Sequence, residues 1–373
     1  MVLIPSDRTP KSRVIDALEH RRPDRAPAGE IGIDYHITEH CLGRKTLYRA
    51  KWREYTAIWE GRRGEVIASY KRDIVDLARC LELDLVTVPL VPSSTPSPPP
   101  EFIGPYRWRT ASGFVWAFAP ESEGNAMLVE APLLGIGDIP EPGSDAAVDE
   151  SQFEAVSHVT RELGSTHFIV GRCGDGSFPW HTTVGMEEFL LRMRTDPGFV
   201  HRAVAWQTAR VIAIAHAMLD LGCDAVLLDD DYCGSAGPMM SPADLRRFCM
   251  PALAAQCEAV RKRGRYAIKH CDGFTLPILE DMIQAGIQAW QGIQPRLGMN
   301  MALLKERFGE RICLWGGVNC ETLTSGTPGE VRAEALYALQ VASQNGGLIL
   351  GSSNTVMVGI PWENYRAMLD VLH

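Results

Sequence analysis

The chain has 373 residues, 46% hydrophobic and 22% charged, enough apolar content to bury a substantial core as one large α/β domain or two ordinary ones. Its net charge of −9 argues against nucleic acid or an anionic membrane as the main partner, and no apolar run reaches the ~18 residues of a transmembrane helix. The apolar part of MVLIPSDRTPKSR is too short for a signal peptide, and ten cysteines scattered without a CxxC spacing read as reduced, mostly structural thiols, so a cytoplasmic location is expected.

Ser12 to His20 reads as an opening helix, turned by Pro23-Asp24-Arg25-Ala26-Pro27 into a first strand near Ala28 to Ile33. Glu30, Asp34, Tyr35 and His36 cluster at its end. Trp52 to Leu83 reads as helix broken at Gly61 and Gly64, and Leu85 to Val88 as a second buried strand. Val91 to Pro100, VPSSTPSPPP, cannot form helix or a central strand and reads as an extended surface segment. Residues 97–140 read as a small antiparallel insertion of hairpins, within a single domain spanning 1–373.

From about Glu150 the rhythm is regular. Helices alternate with strands at His167 to Gly171, Ala225 to Leu228, Tyr266 to Ile268, Ile287 to Trp290, Ile312 to Trp315 and Gly347 to Leu350. Ser241-Pro242-Ala243-Asp244 has the signature of a capped helix start. Eight buried strands is the number that closes a (β/α)8 TIM barrel, an α/β fold whose enzymes act at the carboxyl ends of the strands. A doubly wound open sheet is the alternative, weakened because no GxGxxG follows a strand and no GxxxxGK[ST] occurs.

Those carboxyl ends carry Glu30 and Asp34; Arg172 and Asp175; Asp229 to Tyr232; His270 and Asp272; Gln291 and Gln294; Asn319 and Cys320; and Ser352 to Asn354. Loops are polar in any protein, but a triple Asp directly after Val226-Leu227-Leu228 wants a cation, or one member protonated. Within GRYAIKHCDGFTLPILEDMIQAGIQAWQGIQP, residues 264–295, alternation puts His270 and Asp272 on one face and Cys271 on the other. A satisfied His beside a helix N-cap Asp explains that pair as well as a catalytic or metal-binding one does. Phe178, Trp180, Tyr232 and Trp362 suit either an aromatic pocket or core packing.

The motifs Pro23-Asp24-Arg25-Ala26-Pro27, Ser241-Pro242, His270-x-Asp272-Gly273, Trp315-Gly316-Gly317-Val318-Asn319, Gly326-Thr327-Pro328-Gly329-Glu330-Val331 and Pro361-x-Glu363-Asn364 together resemble the uroporphyrinogen decarboxylase superfamily, over nearly the whole chain. The resemblance implies a single (β/α)8 barrel. In the decarboxylases themselves a Met-Arg-Gln-Ala-Gly-Arg segment after the first strand grips the porphyrinogen carboxylates. Here that place reads Gly29-Glu30-Ile31-Gly32-Ile33-Asp34-Tyr35-His36, and Asn354 stands where the family has a His. An acidic mouth would repel an octacarboxylate, so porphyrinogen decarboxylation is not expected.

The other branch of the superfamily, cobamide- and coenzyme M-dependent methyltransferases, holds zinc through His-x-Cys and a later Cys. His270 matches, but Asp272 and Ser352, Ser353 or Asn354 stand at the thiol positions. The resemblance therefore implies a harder, oxygen-rich zinc site of His270, Asp272 and Asp230, in line with the less thiol-rich sites of members that demethylate methoxylated aromatic compounds; Cys320 is either a fourth ligand or an incidental loop thiol. The expected enzyme is a methyltransferase passing a methyl group from a small methoxylated or methylated compound to a corrinoid on a corrinoid-binding partner protein. Its catalytic residues are expected to be His270, Asp272 and Asp230, and its substrate-binding residues Glu30, Asp34, Tyr35, Arg172, Tyr232, Gln294 and Asn354. A decarboxylase-type lyase acting on a smaller substrate is the alternative, and a homodimer is left open.

Overall fold

The computed structural model describes residues 8–95, 97–144 and 148–373; residues 1–7, on which the expectation of no signal peptide rests, lie outside them. Eight parallel strands follow one another in sheet order: β1 (Gly29–Glu30), β2 (Leu85–Pro89), β3 (Phe168–Arg172), β4 (Ala225–Asp229), β5 (Tyr266–His270), β6 (Ala289–Gln291), β7 (Cys313–Val318) and β8 (Leu348–Ser352). The parallel bridge Ala28–Leu350 and the Leu350 N–H to Pro27 carbonyl bond (2.8 Å) join the last strand to the first, so the sheet is the expected barrel.

Alternation along each strand sorts the apolar side chains into two layers. Leu85, Phe168, Val170, Ala225, Leu227, Ile268, Ala289, Cys313, Trp315 and Ile349 fill the barrel interior, each fully buried. Val86, Val88, Ile169, Val226, Leu228, Ala267, Trp290, Leu314 and Leu350 point outward into the layer shared with the helices. Each such Leu, Ile, Val or Phe contributes about 1.5–3 kcal/mol of burial. Helix α1 (Pro10–Leu18) begins at Thr9, whose hydroxyl accepts the Ser12 N–H, and closes the barrel floor with Val14, Ala17 and Leu18.

Helices α2 (Tyr35–Leu42), α3 (Trp52–Trp59) and α4 (Arg63–Cys80) lie between β1 and β2. The first was not expected, because YHITEHCL carries too few apolar residues to show a helical stripe. Cys41 and Cys80, at the ends of α2 and α4 with Cα atoms 6.7 Å apart, form a disulfide; this corrects the expectation of reduced thiols, which the other eight cysteines keep. Two cysteines 39 positions apart give no sequence signal until the helices carrying them are known to be neighbours.

The insertion is a four-stranded antiparallel sheet, Glu101–Gly104, Arg107–Arg109, Val115–Ala117 and Met127–Glu130. Trp52 of α3 packs on Tyr106, Trp108 and Phe118, which fastens the sheet to the barrel. Helices α5 (Glu154–Leu163), α6 (Met186–Thr195) and α7 (Pro197–Asp220) follow. Ser241 caps the next helical segment as expected, its hydroxyl accepting the Asp244 N–H at 3.1 Å. No helix among the described residues is long and apolar enough to cross a membrane.

Candidate metal centre at the barrel mouth

The inward-facing side of strand β5 is apolar until its last residue. Ile268 sits in the barrel interior, so His270, two residues on, points inward at the carboxyl mouth, while Cys271 is buried in the outer layer. Gln291, at the end of β6 and likewise inward, accepts a hydrogen bond from His270 Nδ1. Its own amide donates to the Ser352 carbonyl at 3.0 Å, which fixes the amide's orientation and places the imidazole proton on Nδ1. The Nε2 lone pair is then directed into the mouth, the arrangement used by histidine ligands whose far nitrogen is held by a hydrogen bond.

Two carboxylates meet that nitrogen. Asp231 Oδ1 lies 3.6 Å from His270 Nε2 and accepts the Asp272 N–H at 2.9 Å. Asp272 follows at the turn after β5, its Oδ2 accepting from Asn354 Nδ2 at 2.8 Å, and Asn354 Oδ1 is itself occupied by the Thr355 N–H. Gly273 makes the turn at φ +75, where a Cβ would lie 2.7–2.9 Å from backbone atoms of Cys233 and Gly234. Donor atoms of Asp231, His270 and Asp272 all lie within 4.8 Å of one another. Burial, and then the charge of Asp231, push the Asp272 carboxyl above its ordinary range. One imidazole nitrogen with two carboxylates is a donor set that fits a divalent ion such as zinc.

The other residues expected at the site lie beside this cluster or away from it. Asp231, not Asp230, is the member of the triple Asp that reaches His270 and Asp272. Asp229 accepts from Arg172 Nε and the Gly174 N–H, while Asp230 turns away, its fully buried Oδ2 without a hydrogen bond and 3.8 Å from His181 Nδ1. Burial holds the Asp230 carboxyl well above its ordinary range. Tyr232 and Phe178 are fully buried in the outer layer. Gln294 is engaged by the Gly273 N–H at 2.8 Å, and Tyr35 donates its hydroxyl to Glu123 of the insertion. Cys320 lies outside the Asp231–His270–Asp272 cluster, its Sγ 3.7 Å from the Thr355 carbonyl and its thiol raised to about 11 by burial.

The acidic first-strand segment also differs from the expectation of a repelling mouth. Asp34 is buried between Arg49 Nε at 2.9 Å and Lys51 Nζ at 2.8 Å, so its charge is neutralised from within. Ile31 faces the interior, and Glu30 therefore points to the outer layer, where it borders a 20 Å³ cavity with Ile74 and Leu77. Burial raises the Glu30 carboxyl to about 8, and the bonds from Ser352 N–H and Oγ offset only part of that.

The folded state thus keeps this proton far above the ordinary Glu value of 4.5, so its contribution to stability is complete below that pH and lost as pH rises through 8. Glu30→Gln removes the dependence. Its melting temperature, followed from pH 5 to 8.5, should gain on wild type by several degrees; a constant gap would mean that Glu30 is already ionised in the fold.

Behind the site, sequence reasoning missed Lys269. It points outward from β5 yet is fully buried, with Nζ 2.7 Å from both Asp175 Oδ2 and the Asp230 carbonyl. Asp175 also accepts from Tyr232 Oη, Gln256 Nε2 and the Ser177 N–H. The lysine, with these bonds, holds Asp175 down to about 2 against a burial effect in the other direction. A Lys inside an otherwise apolar strand was the available signal. A surface groove of about 650 Å³ lies against α4, α5 and α7 and contains none of the strand-end residues.

A family model described as uroporphyrinogen decarboxylase (URO-D) matches residues 129–373. The uroporphyrinogen decarboxylase of Actinobacillus succinogenes is 22% identical over 275 residues, covering 69% of this chain and 70% of the relative. That of Ralstonia nicotianae is 23% identical over 252 residues, covering 61% and 65%. Among solved structures, a methyltransferase from Methanosarcina mazei superposes over 98% of both chains with a TM-score of 0.73 at 20% identity, a likeness of fold.

Proposed function

Because this chain belongs to the uroporphyrinogen decarboxylase family, we propose that it is an enzyme of that type which moves a methyl group from a small methoxylated or methylated compound to a corrinoid on a partner protein. The observation that carries the reading is the convergence of Asp231, His270 and Asp272 at the barrel mouth, an oxygen-rich donor set that suits a divalent metal. A zinc ion there would supply Lewis acidity to the heteroatom that leaves with the substrate's electrons.

The chain's own residues do the rest. Gln291 holds the His270 proton on Nδ1, and Asn354 and the Asp272 N–H fix the two carboxylates. The Lys269–Asp175 pair anchors the loop that carries Asp231. A corrinoid partner would present its cofactor at the same mouth.

A decarboxylase-type lyase on a smaller substrate is the second reading, favoured by the names of the sequence relatives. One experiment separates the two. Zinc-loaded protein is mixed with reduced corrinoid and a panel of methoxylated aromatic compounds, and the visible spectrum of the corrinoid is followed; uroporphyrinogen is assayed in parallel. Methylation of the corrinoid with no turnover of uroporphyrinogen is expected. Turnover of uroporphyrinogen at ordinary enzyme rates would overturn the proposal.

A further inference from the structure

We infer that the substrate drawn into this mouth carries a carboxylate, and that Arg172 is the specificity-determining residue that receives it. The inference deepens the reading of the mouth as a small-molecule site and rests on it. Phe168 and Val170 of β3 belong to the barrel interior, so Arg172, at the strand's carboxyl end, points to the same inner face as His270. It stands on the strand beside β4, which in turn pairs with β5, so two strand spacings of about 4.8 Å separate its column from that of His270.

The guanidinium is both held and left open. Asp229 accepts from Nε, and Asp229 is fixed in turn by the Gly174 N–H at 3.0 Å. Among the described residues nothing bonds Nη1 or Nη2, and the side chain keeps 28% of its surface exposed. Neither nitrogen is a buried orphan, so both reach solvent at the mouth.

Asp231 and Asp272, the nearby acids, form no ion pair with Arg172; they converge on His270 and accept from the Asp272 N–H and Asn354. What remains is the end-on edge of a guanidinium, two parallel N–H donors at fixed spacing. That fork matches a planar carboxylate in two hydrogen bonds, which a lysine's single ammonium cannot reproduce. The other cations of the strand-end region are engaged elsewhere, Arg49 and Lys51 by Asp34 and Lys269 by Asp175.

The test uses benzoate and its uncharged analogue benzamide, measured by calorimetry on the zinc-loaded protein. Neither carries a methyl group to transfer, so the result does not depend on the methyltransferase reading. Wild type should prefer benzoate. Arg172→Gln should weaken benzoate by about tenfold or more while leaving benzamide unchanged, as expected for loss of a charge-assisted pair. Arg172→Lys, which keeps the charge without the fork, should fall between.

Zinc content and thermal stability of both variants serve as the control for folding. Equal affinity of wild type for the two compounds, or an undiminished benzoate preference in Arg172→Gln, would overturn the inference. If Arg172→Gln proves unfolded, the wild-type preference and its partial loss in Arg172→Lys decide the matter. Corrinoid methylation without any benzoate preference would sink this inference alone, and a benzoate preference without corrinoid methylation would sink only the proposed reaction.

Discussion

Lys269→Met should lower the stability of the barrel by about 3–5 kcal/mol, the cost of removing one partner from a fully buried ion pair. The methionine fills the space, so the loss is electrostatic. Asp175 keeps its bonds from Tyr232, Gln256 and Ser177 but loses the charge that makes its ionised form tolerable in the core. Asp175→Asn should cost a similar amount. The double variant should cost little more than the worse single one, because both substitutions break the same interaction.

The acid limb of the stability profile reports the same pair. A carboxyl held at about 2 contributes stability that is present above its ordinary value of 3.8 and is lost as pH falls through 2. Lys269→Met should erase that part of the profile. Urea unfolding across pH provides the measurement, and additive single-variant costs would show that the two groups act independently. Because Lys269 also holds the Asp230 carbonyl, beside Asp231, the variant should bind zinc less tightly even where it remains folded.

His270→Ala is expected to abolish stoichiometric zinc binding and methyl transfer together, with the barrel still folded, since the side chain packs at the mouth and not in the interior cluster. Asp231→Asn and Asp272→Asn should each weaken zinc strongly. Asp230→Asn should leave zinc in place, which separates the two neighbouring acids. Gln291→Leu, which frees the Nδ1 side of the imidazole, should cost about 10–100-fold in zinc affinity, the usual effect of losing the group that orients a ligand. Metal analysis and competitive chelation read all five. Wild type that takes up no divalent metal, or a His270→Ala protein that keeps it, would show that the cluster is a hydrogen-bonding network and nothing more.

How far the sequence reveals these features depends on the distance over which each is determined. His270 and Asp272 were readable because strand parity is local, and eight apolar runs separated by helices were enough to imply closure. Parity failed as a guide at the first strand: its ladder is only two residues long, and Glu30 faces the opposite way from the mouth. Which Asp of the 229–231 run reaches His270 was hidden, because the chain leaves the strand there and Asp231 is placed by its bond to the Asp272 backbone.

The neutralisation of Asp34 depends on Arg49 and Lys51 at φ +50 and +54, a conformation that neither residue type signals. Lys269 and Asp175 stand 94 positions apart, and nothing in either neighbourhood announces the other. Sequence thus conveyed which residues lie at the mouth better than which of them turn toward it.

The junction of β1 with β8 bears on how the protein is made. The first strand is stapled on one side to β8, about 320 positions later in the chain, through the Ala28–Leu350 bridge, and to β7, 286 positions later, through the Trp315 indole N–H that bonds the Gly29 carbonyl at 2.8 Å. A ribosome adding roughly 5–20 residues per second takes on the order of 15–60 s to cover that interval. Throughout it the free edge of the growing sheet has no lateral partner. The nascent protein should therefore depend on chaperone shielding late in translation, and stalling before residue 348 should leave it protease-sensitive over its whole length.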